Sequence, residues 1–75
     1  MERYKNTSGN SGVVAYEIGR DSIAVEFEDG VTYLYTYKSA GRSNIERMKA
    51  LAATGSGLST FIVRHVRKAY AAKFT

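Results

Sequence analysis

The chain has 75 residues, 44 % of them hydrophobic and 24 % charged, which is the balance of one small globular domain rather than of a disordered segment. It has no cysteine, which excludes disulfides and thiolate metal sites, and its apolar runs stop at about four residues, far short of a membrane helix of ~20. The net charge of +4 is unevenly divided, with four basic and six acidic side chains in residues 1–41 against seven basic ones and Glu46 alone in residues 42–75. The polar start predicts no secretory leader, so a cytoplasmic protein without a membrane partner is expected. A chain this short buries only about 60 % of its unfolded surface, which leaves modest stability unless copies associate.

Residues 1–12 are polar, with Gly9 and Gly12 among Ser and Asn, and are expected to form a flexible N-terminal arm. Residues 13–75 are expected to form the single domain. "VVAYEI" (13–18) reads as a strand with Val14, Tyr16 and Ile18 on one face. "IAVEFE" (23–28) alternates, Ile23, Val25 and Phe27 one way and Ala24, Glu26 and Glu28 the other. "EDG" then announces a hairpin into "VTYLYTY" (31–37), where Tyr33, Tyr35 and Tyr37 occupy every second position.

That tyrosine row is either a stacking surface or a core wall, and the hairpin register decides between them. A two-residue loop, Asp29-Gly30, pairs Glu26 with Tyr33 and sets the rings beside glutamates on the outer face. A three-residue loop, Glu28-Asp29-Gly30, pairs Phe27 with Val31, Val25 with Tyr33 and Ile23 with Tyr35. It requires a left-handed residue at its last position, where glycine stands. Because it gathers the apolar set on one face, the three-residue loop and a core role for Tyr33 and Tyr35 are expected. Tyr37, at the strand's end, is the ring expected to meet solvent and a partner.

The period then changes. "SNIERMKALAAT" (43–54) opens with Ser43 and has Glu46 three residues on, the pattern of a capping box; Ile45, Met48 and Leu51–Ala52 recur at helical spacing and Gly55 is the expected stop. A second helix is expected from about Ser59, with Leu58 stapled onto Val63. Its apolar stripe is Leu58, Ile62, Val66, Ala69 and Tyr70, with Arg64, Arg67 and Lys68 opposite. The expected fold is α+β, a three-stranded antiparallel meander followed by two helices packed on one face, β-β-β-α-α.

"YEIGRDSIAVEFEDGVTYLY" with the later "GLSTFIVRHVRKAY" resembles the KTSC domain family, a small bacterial module named for the C-terminus of some lysyl-tRNA synthetases. Tyr33 and Tyr35 match its Tyr-x-Tyr, and Val66, Arg67 and Tyr70 its late Ile-Arg ahead of an aromatic residue. The likeness covers about residues 10–72. The chain departs from the family in lacking the proline after the Tyr-x-Tyr strand, where Lys38 is nearby, and in carrying Val63 where an Asn is common. The resemblance implies the fold and, through the synthetase context, RNA binding.

No catalytic constellation, cofactor motif or metal cage stands out. His65 is the single histidine and borders the apolar stripe; Glu26, Glu28 and Asp29 read as a solvated strand end. "TGSGLST" (54–60) offers Gly55, Ser56, Gly57 and Ser59 ahead of a helix, a weak anion-site pattern for which an ordinary helix connection is the expected reading. Arg64, Arg67 and Lys68, with Arg42, Arg47, Lys49 and Tyr37 nearby, form the candidate nucleic-acid-binding set, and Tyr4 of the arm is a further stacking candidate. The sequence thus points to a non-enzymatic binding module for RNA or another polyanion through a basic helical face. The alternative is a homo-oligomer or inhibitor-type protein binding another protein or a small phosphorylated ligand, suggested by Leu34 on the outer face and by uncovered strand edges.

Overall fold

A computed structural model describes every residue except Ser8 and Asn10. Five strands form one antiparallel sheet in the order β1 (Glu2–Arg3), β2 (Val13–Ile18), β3 (Ser22–Phe27), β4 (Thr32–Thr36) and β5 (Ala72–Phe74). Between β4 and β5 run α1 (Tyr37–Ala40), α2 (Arg42–Thr54), α3 (Leu58–Phe61) and a π-helical stretch, Ile62–Val66. The α+β class and the central meander follow the sequence pattern; β1, β5 and the short α1 add to it.

The hairpin register is the three-residue one. Val25 pairs with Tyr33 and Ile23 with Tyr35, while the Phe27 N–H donates to the Val31 carbonyl at 2.9 Å. Gly30 has φ 89°, a conformation that side-chain-bearing residues rarely adopt, and its N–H donates to the Phe27 carbonyl at 2.9 Å. Asp29 steadies the turn by accepting from the Val31 N–H at 3.0 Å.

Strand β2 departs from simple alternation. A bulge between Val13 and Ala15 puts Val13 and Tyr16 in the core and leaves Val14 as the extra, exposed residue. Ile18 shares the inner face through its pairing with Ile23, but at the strand's end nothing covers it.

Residues 2–4 of the expected arm are ordered rather than loose. Glu2 and Arg3 pair with Tyr16 and Ala15, and Tyr4 is 3 % exposed in the core, its ring 6.5 Å from that of Tyr16. The Tyr4 hydroxyl accepts from the Leu58 N–H at 3.3 Å, so this ring is not available for stacking on a ligand. Burial of the Tyr4 ring, the β1 pairing and the Tyr4–Leu58 hydrogen bond together offset the entropy lost on ordering these residues. The Ser8 and Asn10 part of the expected arm lies outside the described residues.

Helix caps also differ from the sequence reading. The capping box is made by Thr36 and Ser39 at the start of α1, each hydroxyl accepting from the other residue's N–H at 3.0 Å. Helix α2 begins one residue before Ser43, after Gly41, so Ser43 is inside the first turn and caps nothing; Glu46 is left to bond elsewhere. Gly55 does end α2, with φ 79° and its N–H shared between the Leu51 and Ala52 carbonyls. A Cβ there would lie 2.5 Å from Lys5 Cβ, because the N-terminal segment crosses directly over it.

The inner face of the sheet packs Val13, Tyr16, Ile23, Val25 and Tyr35 against Ile45, Met48 and Ala52 of α2, Leu58 of α3, and Ile62 and Val66. Each fully buried aliphatic among these, such as Ile23, Ile45 and Leu58, stabilises the fold by roughly 1.5–3 kcal/mol. The inward residues of the last helical stretch, Leu58, Ile62 and Val66, are four apart, as wide π turns favour. Val63 falls outside that set at 59 % exposure, so the expected staple onto Leu58 is not made. The helix stops at Val66, and Ala69 and Tyr70 reach the core from the turn that follows rather than from a continued stripe.

Candidate nucleic-acid interface

The end of the π stretch builds the most distinctive surface. Arg67 takes φ 21° and ψ −88°, its N–H donating to the Ile62 carbonyl at 2.6 Å and its own carbonyl accepting from the Tyr35 hydroxyl at 3.2 Å. A non-glycine residue at positive φ is strained and persists because the surroundings hold it. The chain then swings back to the sheet, where the Ala71 N–H donates to the Leu34 carbonyl at 2.7 Å and β5 pairs Lys73 with Tyr33.

This path encloses a cleft of about 610 Å³. Its apolar wall is Phe27, Tyr33, Tyr35 and Tyr70, which interlock: Tyr33 and Tyr70 have ring centroids 4.9 Å apart, and Phe27 meets Tyr33 edge-on at 5.6 Å. Its rim carries Arg67, Lys68 and Lys73 on one side and Glu28 and Asp29 of the β3–β4 loop. The Lys73 Nζ stands 5.8 Å from the Tyr33 ring centroid, within cation–π range. Tyr35 is buried at the base, and burial, reinforced by Tyr33 and Tyr70, pushes its phenol up to about 12.

The tyrosine row therefore divides. Tyr35 is core, as expected; Tyr33 is a wall residue that also meets the cleft, and it is joined there by Tyr70.

Tyr37 belongs to a second cluster on α1 and α2. Its hydroxyl donates to the Glu46 carboxylate, while the Arg42 Cζ and Lys49 Nζ stand 5.7 and 5.5 Å from its ring centroid. Lys49 pairs with Glu46 at 3.0 Å and donates to the Arg20 carbonyl at 2.9 Å. The hydrogen bond from Tyr37, then the one from Lys49, holds Glu46 below the usual carboxylate range, and the same bond to Glu46 raises the Tyr37 phenol.

The basic set foreseen on one helical face is thus dispersed. Arg67 and Lys68 are past the helix and line the cleft; Arg42 and Lys49 surround Tyr37; Arg64 and Arg47 are exposed and line neither. The helix ends at Val66, which is why the wheel misplaces Arg67 and Lys68. Lys73, Tyr33 and Tyr70 were not among the sequence candidates; the period-2 tyrosine row, whose hydroxyls need a polar boundary, was a signal for Tyr33, and nothing local marked Lys73 or Tyr70.

The glycine-rich loop is an ordinary helix connection. The Gly55 N–H is bonded within α2 and the Leu58 N–H is taken by Tyr4, while the Gly55 carbonyl accepts from Thr7 at 2.8 Å. Helix α3 has only four residues, so Gly55, Ser56, Gly57 and Ser59 do not make an anion site. Among the described residues no helix is long and apolar enough to cross a membrane. No protein-family model matches the chain, and no curated protein or solved structure matches it.

Proposed function

We propose that this chain is a non-enzymatic binding module for single-stranded RNA or a similar polyanion, engaged at the cleft between β5, the β3–β4 hairpin and the end of the π stretch. The supporting observation is the company of Arg67, Lys68 and Lys73 with the Tyr33 and Tyr70 rings around one opening. Cationic side chains meet phosphates, and accessible aromatic faces stack on bases whatever their identity. Kinship with KTSC domains is part of this proposal and rests on Tyr33, Tyr35, Arg67 and Tyr70, all four of which line the cleft. The reading moves the interface from the helical face to the helix's end, with Arg64 and Arg47 as peripheral charges.

The test is fluorescence anisotropy of a labelled single-stranded RNA at low and at physiological salt. Binding that weakens with salt is expected, and Arg67→Ala with Lys68→Ala should lower the salt slope by about two, one per lost phosphate contact. Absence of binding at low salt overturns the proposal.

A second reading, self-association, is favoured by β5. It is an edge strand, and Phe74 on it is 56 % exposed on the outer face. Light scattering that returns a monomer at high micromolar concentration removes this reading.

A further inference from the structure

The cleft carries both signs of charge without letting them cancel. Glu28 and Asp29 line it from the β3–β4 loop, and Arg67, Lys68 and Lys73 line it from the end of the π stretch and from β5. Among the described residues the only ion pair is Lys49 with Glu46, so no carboxylate of the cleft closes onto a cation of the cleft. Phe27, Tyr33, Tyr35 and Tyr70 form an apolar wall shared by the two rims. A ligand that fits such a site presents an anion to one rim and hydrogen-bond donors to the other, with a flat apolar body between.

We propose that the cleft selects guanine, its base packed on Tyr33 and Tyr70, its Watson–Crick edge on Glu28 and Asp29, and its phosphate at Arg67, Lys68 and Lys73. This rests on the reading of the cleft as a nucleic-acid site and adds the base that it takes. Ionised carboxylates are acceptors only. Guanine is the one common base whose Watson–Crick edge offers two adjacent donors, N1–H and the N2 amino group, to a carboxylate. Adenine and cytosine set an acceptor beside their single amino group, and uracil flanks its one N–H with two carbonyls, so each turns an oxygen lone pair or ring nitrogen toward a carboxylate. A bare carboxylate next to a phosphate-binding rim otherwise weakens every polyanion alike, whereas here it discriminates.

The acidic rim is also held in place. The Asp29 Oδ1 accepts from the Val31 N–H at 3.0 Å, which fixes the side chain and leaves the second oxygen for a ligand. The Glu28 backbone N–H donates to the Gly12 carbonyl at 2.8 Å, anchoring the loop to the start of β2. The cleft volume of about 610 Å³ falls within the ~300–1,000 Å³ of small-molecule sites, so one nucleotide rather than a run of bases is read.

The experiment compares labelled nine-residue oligouridylates whose central base is U, A, C, G or inosine. The G oligomer is expected to bind about tenfold more tightly than the U oligomer, with inosine, which keeps N1–H and lacks the amino group, between them. Glu28→Gln with Asp29→Asn should bring G and U to within about twofold while leaving the salt slope unchanged. Equal binding of all five oligomers with the salt dependence intact overturns guanine selection and leaves the RNA reading standing. A G preference that survives the double substitution also overturns the assignment to the acidic rim. Absence of binding by every oligomer at low salt overturns both.

Discussion

Tyr33 and Tyr37 are four residues apart, each has a lysine near its ring face, and the two sites do different things. Tyr37 is saturated from within: its hydroxyl bonds Glu46, Glu46 pairs with Lys49, and Lys49 also holds the Arg20 carbonyl. That cluster ties α1, α2 and the β2–β3 turn together and keeps little capacity for a partner. Around Tyr33, Arg67, Lys68 and Lys73 are exposed, no ion pair engages them among the described residues, and the backbone beneath is strained at Arg67. The Lys49 charge is spent on an internal carboxylate, whereas the three cations over the aromatic wall are left open, which is the contrast on which the proposed interface rests.

Truncating the two neighbouring rings of the row separates core from surface. Tyr35→Ala removes a side chain that is 1 % exposed and is expected to cost about 3–5 kcal/mol, most of the stability of so small a domain, whereas Tyr37→Ala, at a half-buried ring on the edge of the core, should cost clearly less. Urea denaturation followed by circular dichroism measures both. Comparable losses would mean that the Tyr37 cluster carries more of the fold than its exposure implies.

A second contrast is in binding. Arg67→Ala with Lys68→Ala should weaken single-stranded RNA about tenfold or more at low salt, while Arg42→Ala with Lys49→Ala, which removes the same charge, should change affinity less than about threefold. Equal effects would show that net charge alone drives association. Strain offers a smaller and opposite test: Arg67→Gly relieves a positive φ and should stabilise the fold by about 1 kcal/mol while weakening RNA. A stabilised variant that binds RNA as the parent does would remove Arg67 from the interface.

The pH limbs divide along the same line. Burial favours the neutral phenol of Tyr35 in the folded state, so its stabilisation is intact below its ordinary value near 10 and is lost as pH rises toward about 12. Glu46, held low in the fold, stabilises above its ordinary range and loses that contribution as pH falls. Stability measured across pH should therefore lose part of its acid slope in Glu46→Gln and part of its alkaline slope in Tyr35→Phe. An alkaline slope unchanged by Tyr35→Phe would assign it to Tyr37, whose phenol is also raised.

The hairpin was legible in the sequence because burial and the glycine in "EDG" specify the same register, and Val25–Tyr33 and Ile23–Tyr35 pair accordingly. The class and the stop at Gly55 were legible for similar reasons. What escaped was whatever depends on long-range partners. Val13 enters the core through a bulge that alternation does not announce, and the π turns at Ile62–Val66 carry no glycine or proline to mark them. Strand β5 is three residues of ordinary composition that pair only because the turn after Val66 returns them to β4. The cleft inherits that dependence: its basic rim follows the unmarked helix end, so Arg67 and Lys68 were legible, while Lys73 and the grouping of the three were not.

Tyr4 joins the two ends of the chain's folding history. Its hydrogen bond to Leu58 spans 54 positions, and every strand pair from β2 to β4 is between sequence neighbours. Strand β1 itself pairs with its sequence neighbour β2, so the late step expected from sequence separation is the docking of Tyr4 against Leu58. Contacts made that late govern how slowly a protein opens rather than how quickly it forms. Stopped-flow kinetics of Tyr4→Phe should show a faster unfolding limb with the folding limb unmoved, and a slowed folding limb would place that docking early. A segment that reads as loose polar leader would then set the lifetime of the native state.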